Sequence, residues 1–512
     1  MTKKCKFKGK NVLVAGLARS GTGAANLLSS IGAKVRITDI KPRDLLIDNI
    51  EKLLPSIEII AGEHPEEVFN TADLIVVSPG VPLDIPPVLR AIARGIPVIG
   101  EFDLAYQIVT GDELRDMSDK QKTGLLPVNR HPSPAFIGVT GTNGKSTTAT
   151  LISMMIKDAG FKTILAGNIG NALTEEIYSS QFTVHGSRLT DTDYIVAEIS
   201  SFQLESIQDF KPFIAVILNI TPDHLDRYSS IQEYVNAKAR IFENQGPSDY
   251  LILNADDPAI MELYESKISP RRIARGDKNQ KSSSVNILFF SRKKEVKGIY
   301  YKDGNLHFNF LPPPRTVPPA FLRKQEGGTV SSPFRLIAAD EIKIKGVHNL
   351  ENAMAASLAA IISGCPIHTV RSSLKNFPGL EHRLEFVCEI NGVSFINDSK
   401  GTNIGAVAKS IEGLQNIVLI MGGREKLSDF SALKGLMKEK VKTLILLGEA
   451  KGKIAEAAGK ATEVILVDSL KDAVEVSVSK ASAGDVVLLS PGCASFDMFT
   501  DLRTGGGSLR KR

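Results

Sequence analysis

The residues best equipped for chemistry in this 512-residue chain form one run, Gly141-Thr142-Asn143-Gly144-Lys145-Ser146-Thr147, directly after the apolar stretch Ala135 to Thr140. A strand, a glycine-containing turn and a helix start leave successive backbone N–H groups facing a phosphate, with the positive end of the helix dipole behind them. Glycine permits close approach. Lys145 reaches phosphate oxygens, and the Ser146 or Thr147 hydroxyl suits Mg2+. The longer Walker pattern asks for a glycine where Val139 stands, so the fit is to the shorter Gly-Thr-Asn-Gly-Lys-Ser/Thr form. A nucleoside triphosphate is the expected ligand, and a turn of structural use the alternative.

Other candidate groups also follow apolar runs. Glu198 ends Ile195-Val-Ala-Glu198, where an acid beside a phosphate turn is placed to hold Mg2+. Asn219-Ile-Thr-Pro-Asp223-His224-Leu-Asp226-Arg-Tyr228 packs several metal or proton partners into one loop. His224 alone reads as structural; in this company it reads as a second metal ligand. Lys238 lies beside the helical face of Val235, Ala239 and Phe242 and on its own reads as a solvated surface lysine. Further along, His382-Arg383, Asn397-Asp398-Ser-Lys400-Gly-Thr402-Asn403 and Gly422-Gly-Arg-Glu-Lys426 put cations and hydrogen-bonding groups on loops. Such loops suit an anionic substrate or ATP across a cleft, or are simply solvated charges.

The elements that must position these groups alternate between short apolar runs and helical stretches, the pattern of α/β units with parallel sheets. Three domains are expected: residues 1–109, a linker at 110–134 carrying Pro127, Pro132 and Pro134, a central domain over 135–379, and a last over 380–512. The first and last read as Rossmann-like, the middle as a P-loop-type ATPase domain. Gly16-Leu-Ala18-Arg-Ser20-Gly21 ends the first strand, and Lys34 to Asp39 ends in an acid, as a dinucleotide-binding unit would. Ala18 replaces the middle glycine of that fingerprint, so the turn points to another phosphate-bearing ligand or to a structural βα turn. Ser78-Pro79-Gly80 also leaves a strand end. Residues 280–339, rich in proline, read as antiparallel ribbons within an exposed insertion. Asn391-Gly392 marks a hairpin.

Bulk properties bound the rest. A hydrophobic share of 43% and a charged share of 23% are those of a globular protein. A net charge of +5, spread along the chain, makes no case for nucleic acid. No run approaches the roughly 18 apolar residues of a membrane helix. Cys5, Cys365, Cys388 and Cys493 are far apart, which fits neither zinc nor a disulfide scaffold and suits a reducing cytoplasm.

Taken together, Gly141 to Thr147, Gly167-Asn168-Ile-Gly170, Glu198 to Glu205, Asn219 to Tyr228, Ala237-Lys238-Ala-Arg-Ile241 and Gly346-Val-His-Asn349 resemble the Mur ligases of peptidoglycan synthesis. Ser78-Pro-Gly80, Gly379 to Glu385, Asn397 to Asn403 and Ser490 to Asp497 resemble the members that add D-glutamate to UDP-N-acetylmuramoyl-L-alanine. The resemblance implies an amide ligase that activates the alanine carboxylate with ATP as an acyl phosphate. It implies Lys145 on phosphates, Ser146 and Glu198 on one Mg2+, and His224 and a carbamylated Lys238, formed with CO2, serving a second. It further implies Asn349, Arg383 and Asp398 at ATP, and Lys400, Thr402, Lys426 and Ser495 at D-glutamate. Ser20, Ser78-Pro79-Gly80, Asn168 and His224 would face the nucleotide sugar. A cytoplasmic monomer is expected, with neither nucleic acid nor a membrane as partner. Two positions depart from the family pattern: Ile40-Lys41 follows Asp39, and Leu502 stands where the family has an aromatic.

Overall fold

The computed structural model describes residues 6–111, 134–169, 171–182, 192–223, 227–268, 285–310, 333–424, 429–458 and 460–493. His224, Lys426, Ser495, Leu502 and most of the 110–134 segment lie outside the described residues.

Apolar runs too short for helices and rich in Val, Ile and Leu form three sheets, parallel except at their edges. The first contains β1 (Asn11–Ala15), β2 (Lys34–Asp39), β3 (Glu58–Ala61), β4 (Leu74–Val77) and β5 (Val98–Gly100), ordered β3-β2-β1-β4-β5. The order reverses between β1 and β4, so the loops leaving these two strands open a crevice at a topological switch point. Gly16 to Ser20 leaves one strand and Ser78-Pro79-Gly80 the other.

The second sheet contains β6 (Ala135–Thr140), β7 (Thr163–Gly167), β8 (Tyr194–Glu198), β9 (Ile214–Ile217), β10 (Tyr250–Asn254), β11 (Asn286–Ser291), β12 (Gly298–Lys302), β13 (Asn305–Phe308) and β14 (Phe334–Ala338). Their order is β14-β13-β12-β11-β10-β9-β6-β8-β7. β6 lies between β8 and β9 and runs parallel to both. The phosphate turn, Glu198 and the Asn219 loop therefore leave one edge of three adjacent strands.

The exposed insertion expected at 280–339 is corrected in its described parts. β12, β13 and β14 extend the central sheet, with antiparallel pairing from β12 outward. Tyr300, Leu306 and Phe308 are buried. The alternation Asn305-Leu-His-Phe308 is that of a half-buried strand, and the neighbouring prolines masked its weight. Residues 311–332 lie outside the described residues.

The helix Lys145–Asp158 packs on β6 and against the helix Val347–Ile362. Ala353, Ala355, Ala356, Ala359 and Ala360 are fully buried there, and their small side chains let the two helices approach closely. A leucine in place of one would overpack the contact at a cost of about 1–3 kcal/mol. The helix that starts at the phosphate turn is thereby fixed from behind.

The third sheet contains β15 (Glu385–Ile390), β16 (Val393–Asn397), β17 (Ile417–Gly422), β18 (Val441–Leu447), β19 (Glu463–Leu466) and β20 (Val486–Leu489), ordered β15-β16-β20-β17-β18-β19. β15 and β16 form the expected hairpin, with Asn391 at φ 51° and Gly392 at φ 76°, the two positive values a type I′ turn requires.

The first sheet's unit is braced on the second. The Gly100 N–H donates to the Ser206 carbonyl at 2.9 Å. Asp103 accepts the N–H groups of Asp209 and Phe210 at 3.0 and 2.8 Å, and buried Glu101 accepts both the N–H and the hydroxyl of Thr174 at 3.0 and 2.6 Å. Among the described residues no helix is long and apolar enough to cross a membrane.

Candidate functional site

At the end of β6 the chain turns through Gly141 (φ 152°) and Gly144 (φ 84°). A Cβ on Gly144 would sit 2.2 Å from the Asn352 Oδ1, so backbone and neighbour both demand glycine. Asn219, at the end of β9, splints the turn: its Oδ1 accepts the Asn143 N–H at 2.8 Å and its Nδ2 donates to the Asn143 carbonyl at 3.0 Å. The Thr142 hydroxyl accepts the Thr221 N–H at 3.0 Å and donates to the Thr221 carbonyl at 3.1 Å. A rigid loop facing a cleft results, with two cations beneath it. Lys145 Nζ donates to the Gly141 and Thr142 carbonyls at 2.9 and 2.8 Å.

Glu198, 3% exposed, stands beside the turn. Its Oε2 accepts the Ser146 hydroxyl at 2.7 Å and its Oε1 the Asn168 amide at 3.1 Å. A carboxylate and a hydroxyl in contact supply two hard oxygens at one point, as Mg2+ bound chiefly by phosphates and water requires. Among the described residues no three His, Cys, Asp or Glu side chains group as a ligand cage. The Thr147 hydroxyl is 2% exposed and finds no partner among the described residues.

The surface-lysine reading of Lys238 is overturned. Its side chain is 1% exposed, its Nζ donates to the Gly141 carbonyl at 3.0 Å, and it sits 4.4 Å over the Tyr234 ring. Burial, reinforced by the charge on Lys145 and opposed by Asp223 and Glu198, holds its ammonium well below the usual lysine range. The helix Ile231–Ala239 turns this position inward, and three-residue spacing did not reveal that because the neighbouring helix face is also buried. Lys145 is shifted down as well, by burial first, with Glu198 and Asp223 opposing and Arg383 and Lys400 adding to the shift.

Those last two residues belong to the third sheet's unit, which closes the opposite wall. Arg383, Asp398, Lys409 and Ser410 share a cleft of about 240 Å³ with Asn143, Gly144, Asn219, Asn352 and His348. Asp398, 4% exposed, accepts the Ser410 and Ser490 hydroxyls, each at 2.8 Å. Burial raises its carboxyl, partly offset by Ser410 and Arg383. Arg383 is flanked by His382 and Leu384 at φ 66° and 43°, a strained pair held by Glu385 accepting the His382 N–H at 2.8 Å. The Lys400 N–H donates to the His382 carbonyl at 3.0 Å and the Thr402 N–H to the Lys400 carbonyl at 2.9 Å, a tight loop beside the arginine. Asn403 donates to Asp223 Oδ2 at 3.2 Å across the boundary.

Some expected residues sit behind the cleft surface. Asn349 donates to the Lys345 carbonyl at 2.8 Å and accepts from Asn352 at 3.2 Å, and it is Asn352 that lines the cleft. In the first unit, Ser78 is buried with its hydroxyl on the Gly16 carbonyl at 2.9 Å, whereas Gly80 is exposed with open space around it. Ser20 lies half-buried in the first turn of the helix Arg19–Ser30, whose N-terminus carries no side-chain cap. Asp39 spends one oxygen on the Leu17 N–H at 2.7 Å and the other on the Lys41 N–H at 2.9 Å, so the acid at the end of β2 fixes the turn.

Sequence reasoning missed Asp256, Asp257, Arg292 and His348, which also line the cleft. The signal for the acids was present, since Asn254-Ala-Asp-Asp257 leaves the end of β10 as Glu198 leaves β8.

Residues 10–100 match the MurD-like N-terminal domain of Mur ligases, 139–360 the Mur ligase middle domain, and 382–493 the Mur ligase glutamate ligase domain. The chain is 40% identical over 499 residues to the UDP-N-acetylmuramoylalanine--D-glutamate ligase of Geotalea uraniireducens, covering 97% of this chain and 95% of that one. It is 39% identical over 509 residues to the ligase of the same name from Pelotomaculum thermopropionicum, covering 99% and 97%. Among solved structures it is similar to MurF from Acinetobacter baumannii, with a TM-score of 0.55, 16% identity and 98% and 93% of the chains covered. A pseudomurein peptide ligase type C from Methanothermus fervidus gives a TM-score of 0.54 at 17% identity, covering 98% and 100%. These two likenesses show the fold alone.

Proposed function

The chain belongs to the Mur ligase family, and from that premise we propose that it joins D-glutamate to the alanine carboxylate of UDP-N-acetylmuramoyl-L-alanine with ATP, in the synthesis of peptidoglycan precursors. The observation that carries this is the meeting of Lys145, Ser146, Glu198 and Lys238 at one strand edge, opposite Arg383 and Lys400. It is supported by 37–40% identity to ligases of that name along nearly the whole chain.

The reaction moves a phosphoryl group between anions, so the protein must position reactants and offset charge. The backbone N–H groups of Gly141 to Lys145 cradle the ATP phosphates, and Lys145 leaves its two carbonyl partners to meet the transferring group. Arg383 and Asp398 serve ATP from the opposite wall, with Asn143, Gly144 and Thr147 on the near side and Asn349 behind Asn352 there. Ser146 and Glu198 would hold the first Mg2+, which would supply charge to screen the phosphate oxygens. A second ion would fall to His224, outside the described residues, and to Lys238 as its carbamate. The lowered basicity of Lys238 favours loss of its proton to solvent, and the free amine would add CO2 with release of a second proton, leaving a carbamate anion where a buried ammonium stood. Ser20, Pro79, Gly80 and Asn168 face the nucleotide sugar, and Ser78 holds that loop. Lys400 and Thr402, with Lys426 and Ser495, hold D-glutamate so that its amine attacks the acyl phosphate, and phosphate leaves.

Incubation with UDP-N-acetylmuramoyl-L-alanine, ATP, Mg2+ and D-glutamate should give ADP and the amide product. ADP release driven by meso-diaminopimelate or lysine, and not by D-glutamate, would reject the assignment.

A further inference from the structure

Between the crevice of the first unit and the phosphate turn of the second runs a continuous set of contacts whose middle links, Arg227, Glu205 and Tyr228, have no part in the proposed chemistry. Ser78 anchors the Ser78-Pro79-Gly80 loop to the Gly16 carbonyl at 2.9 Å, and the next residue's carbonyl, that of Pro79, accepts from Arg227 Nη1 at 3.4 Å. The other arm of the same guanidinium, Nη2, donates to Glu205 Oε2 at 2.6 Å, and its Cζ lies over the Phe202 ring, 4.4 Å from the centroid. The second oxygen of Glu205 accepts the Tyr228 hydroxyl at 2.5 Å. Tyr228 packs on Tyr234 with ring centroids 5.3 Å apart. Tyr234 in turn carries Lys238 Nζ over its face at 4.4 Å and places its hydroxyl 3.3 Å from the Thr142 hydroxyl.

We propose that Arg227 is a positioning residue that sets the nucleotide-sugar loop of the first unit in register with Lys238 and the phosphate turn of the second. Glu205 ends the helix Ser201–Glu205, which opens at a Ser200 capping box two residues after Glu198. The arginine thus ties together the substrate loop, the segment that follows the metal-holding strand and the Asn219 to Tyr228 loop. Only a forked, planar cation can span the Pro79 carbonyl and a carboxylate while stacking on an aromatic ring. The ion pair is about one-fifth exposed on each side, sheltered enough to hold its geometry. The carboxylate to be phosphorylated arrives on a substrate gripped by one unit, and the phosphate by the other. A small misalignment between them therefore falls on the acyl acceptor and leaves the grip on ATP intact.

The inference rests on the nucleotide-sugar reading of the first unit. Its test uses the full chain and the variants Arg227→Gln, Arg227→Lys and Glu205→Gln, with nucleotide-sugar and ATP-analogue binding measured by calorimetry beside KM, kcat and melting temperature. Arg227→Gln should raise KM for the nucleotide sugar about tenfold while KM for ATP stays within about twofold. Arg227→Lys should keep the parent's melting temperature through its charge yet retain the raised KM, because a lysine cannot bridge both partners. The double variant Arg227→Gln/Glu205→Gln should be no worse than either single one. Unchanged KM values, or parallel rises in both KM values that track lost melting temperature, would reduce Arg227 to a structural residue and overturn the proposal. A parent that binds the nucleotide sugar yet makes no amide would count against the proposed reaction alone. A parent that binds no nucleotide sugar would overturn both.

Discussion

Lys145 and Lys238 donate to the same carbonyl oxygen, that of Gly141, at 2.9 and 3.0 Å. Two ammonium groups on one acceptor in a buried site repel each other. The charge on Lys145 accordingly adds to burial in lowering Lys238. Converting Lys238 to an anion would relieve that repulsion, which gives this lysine a physical reason to be carbamylated. Lys238→Ala should lower kcat by about 10²–10³-fold, and short carboxylates such as formate or acetate should restore part of it. Equal activity in variant and parent, with or without added carboxylate, would remove Lys238 from the site.

The left-handed turn at Gly144 gives a second expectation. Alanine there adopts φ near 84° only under strain, and its methyl meets the Asn352 amide. Gly144→Ala should cost about 1–3 kcal/mol of stability and weaken ATP-analogue binding about tenfold or more. Denaturant melts and calorimetry would check both. A variant that matches the parent in each would mean that the turn is softer than its contacts indicate.

Much of this arrangement was legible because strands buried on both faces read as uninterrupted apolar runs, and chemical groups sit where such runs stop. Glu198, the phosphate turn and the Asn219 loop were all visible by that rule. What it could not supply was which way a helix faces. Lys238 shares its helix with an apolar stripe and still points inward, since the hole it fills lies between Tyr234, one turn earlier on that helix, and Gly141, distant in sequence. Asp39 shows a second limit of that rule. An acid at a strand end can be consumed by backbone N–H groups of its own domain, and only the folded loop reveals that. The antiparallel pairing of β12 to β14 was legible as ribbons, and what the sequence did not reveal is that β12 joins β11 and so carries them onto the central sheet as its edge.

Glu198 offers a test that separates metal from scaffold. Glu198→Gln can keep both contacts, its amide oxygen accepting from Asn168 and its amide nitrogen donating to the Ser146 oxygen, while removing the negative charge, so melting temperature should stay close to the parent's. If the carboxylate serves Mg2+, the Mg2+ concentration for half-maximal rate should rise and kcat should fall about 10²-fold. A variant with the parent's Mg2+ dependence would assign Glu198 to holding Ser146 alone.

His348 supplies a pH-dependent term that belongs to folding. Burial, with Arg383 and Lys409 nearby, lowers its pKa to about 4, and its Nδ1 finds no partner among the described residues. The unfolded chain takes up this proton near pH 6.5 and the folded one only near 4, so the unfolded state binds more protons between those values. Stability from keeping His348 neutral is therefore fully present above about pH 6.5 and lost as pH falls toward 4. The full shift corresponds to at most about 3 kcal/mol. Replacing His348 with Gln removes the titrating group. Across denaturant melts from pH 7.5 to 4.5, the gap between parent and His348→Gln should then narrow or reverse by about 1–3 kcal/mol as the pH falls. Parallel curves would show that His348 takes up its proton in the cleft as readily as in the unfolded chain.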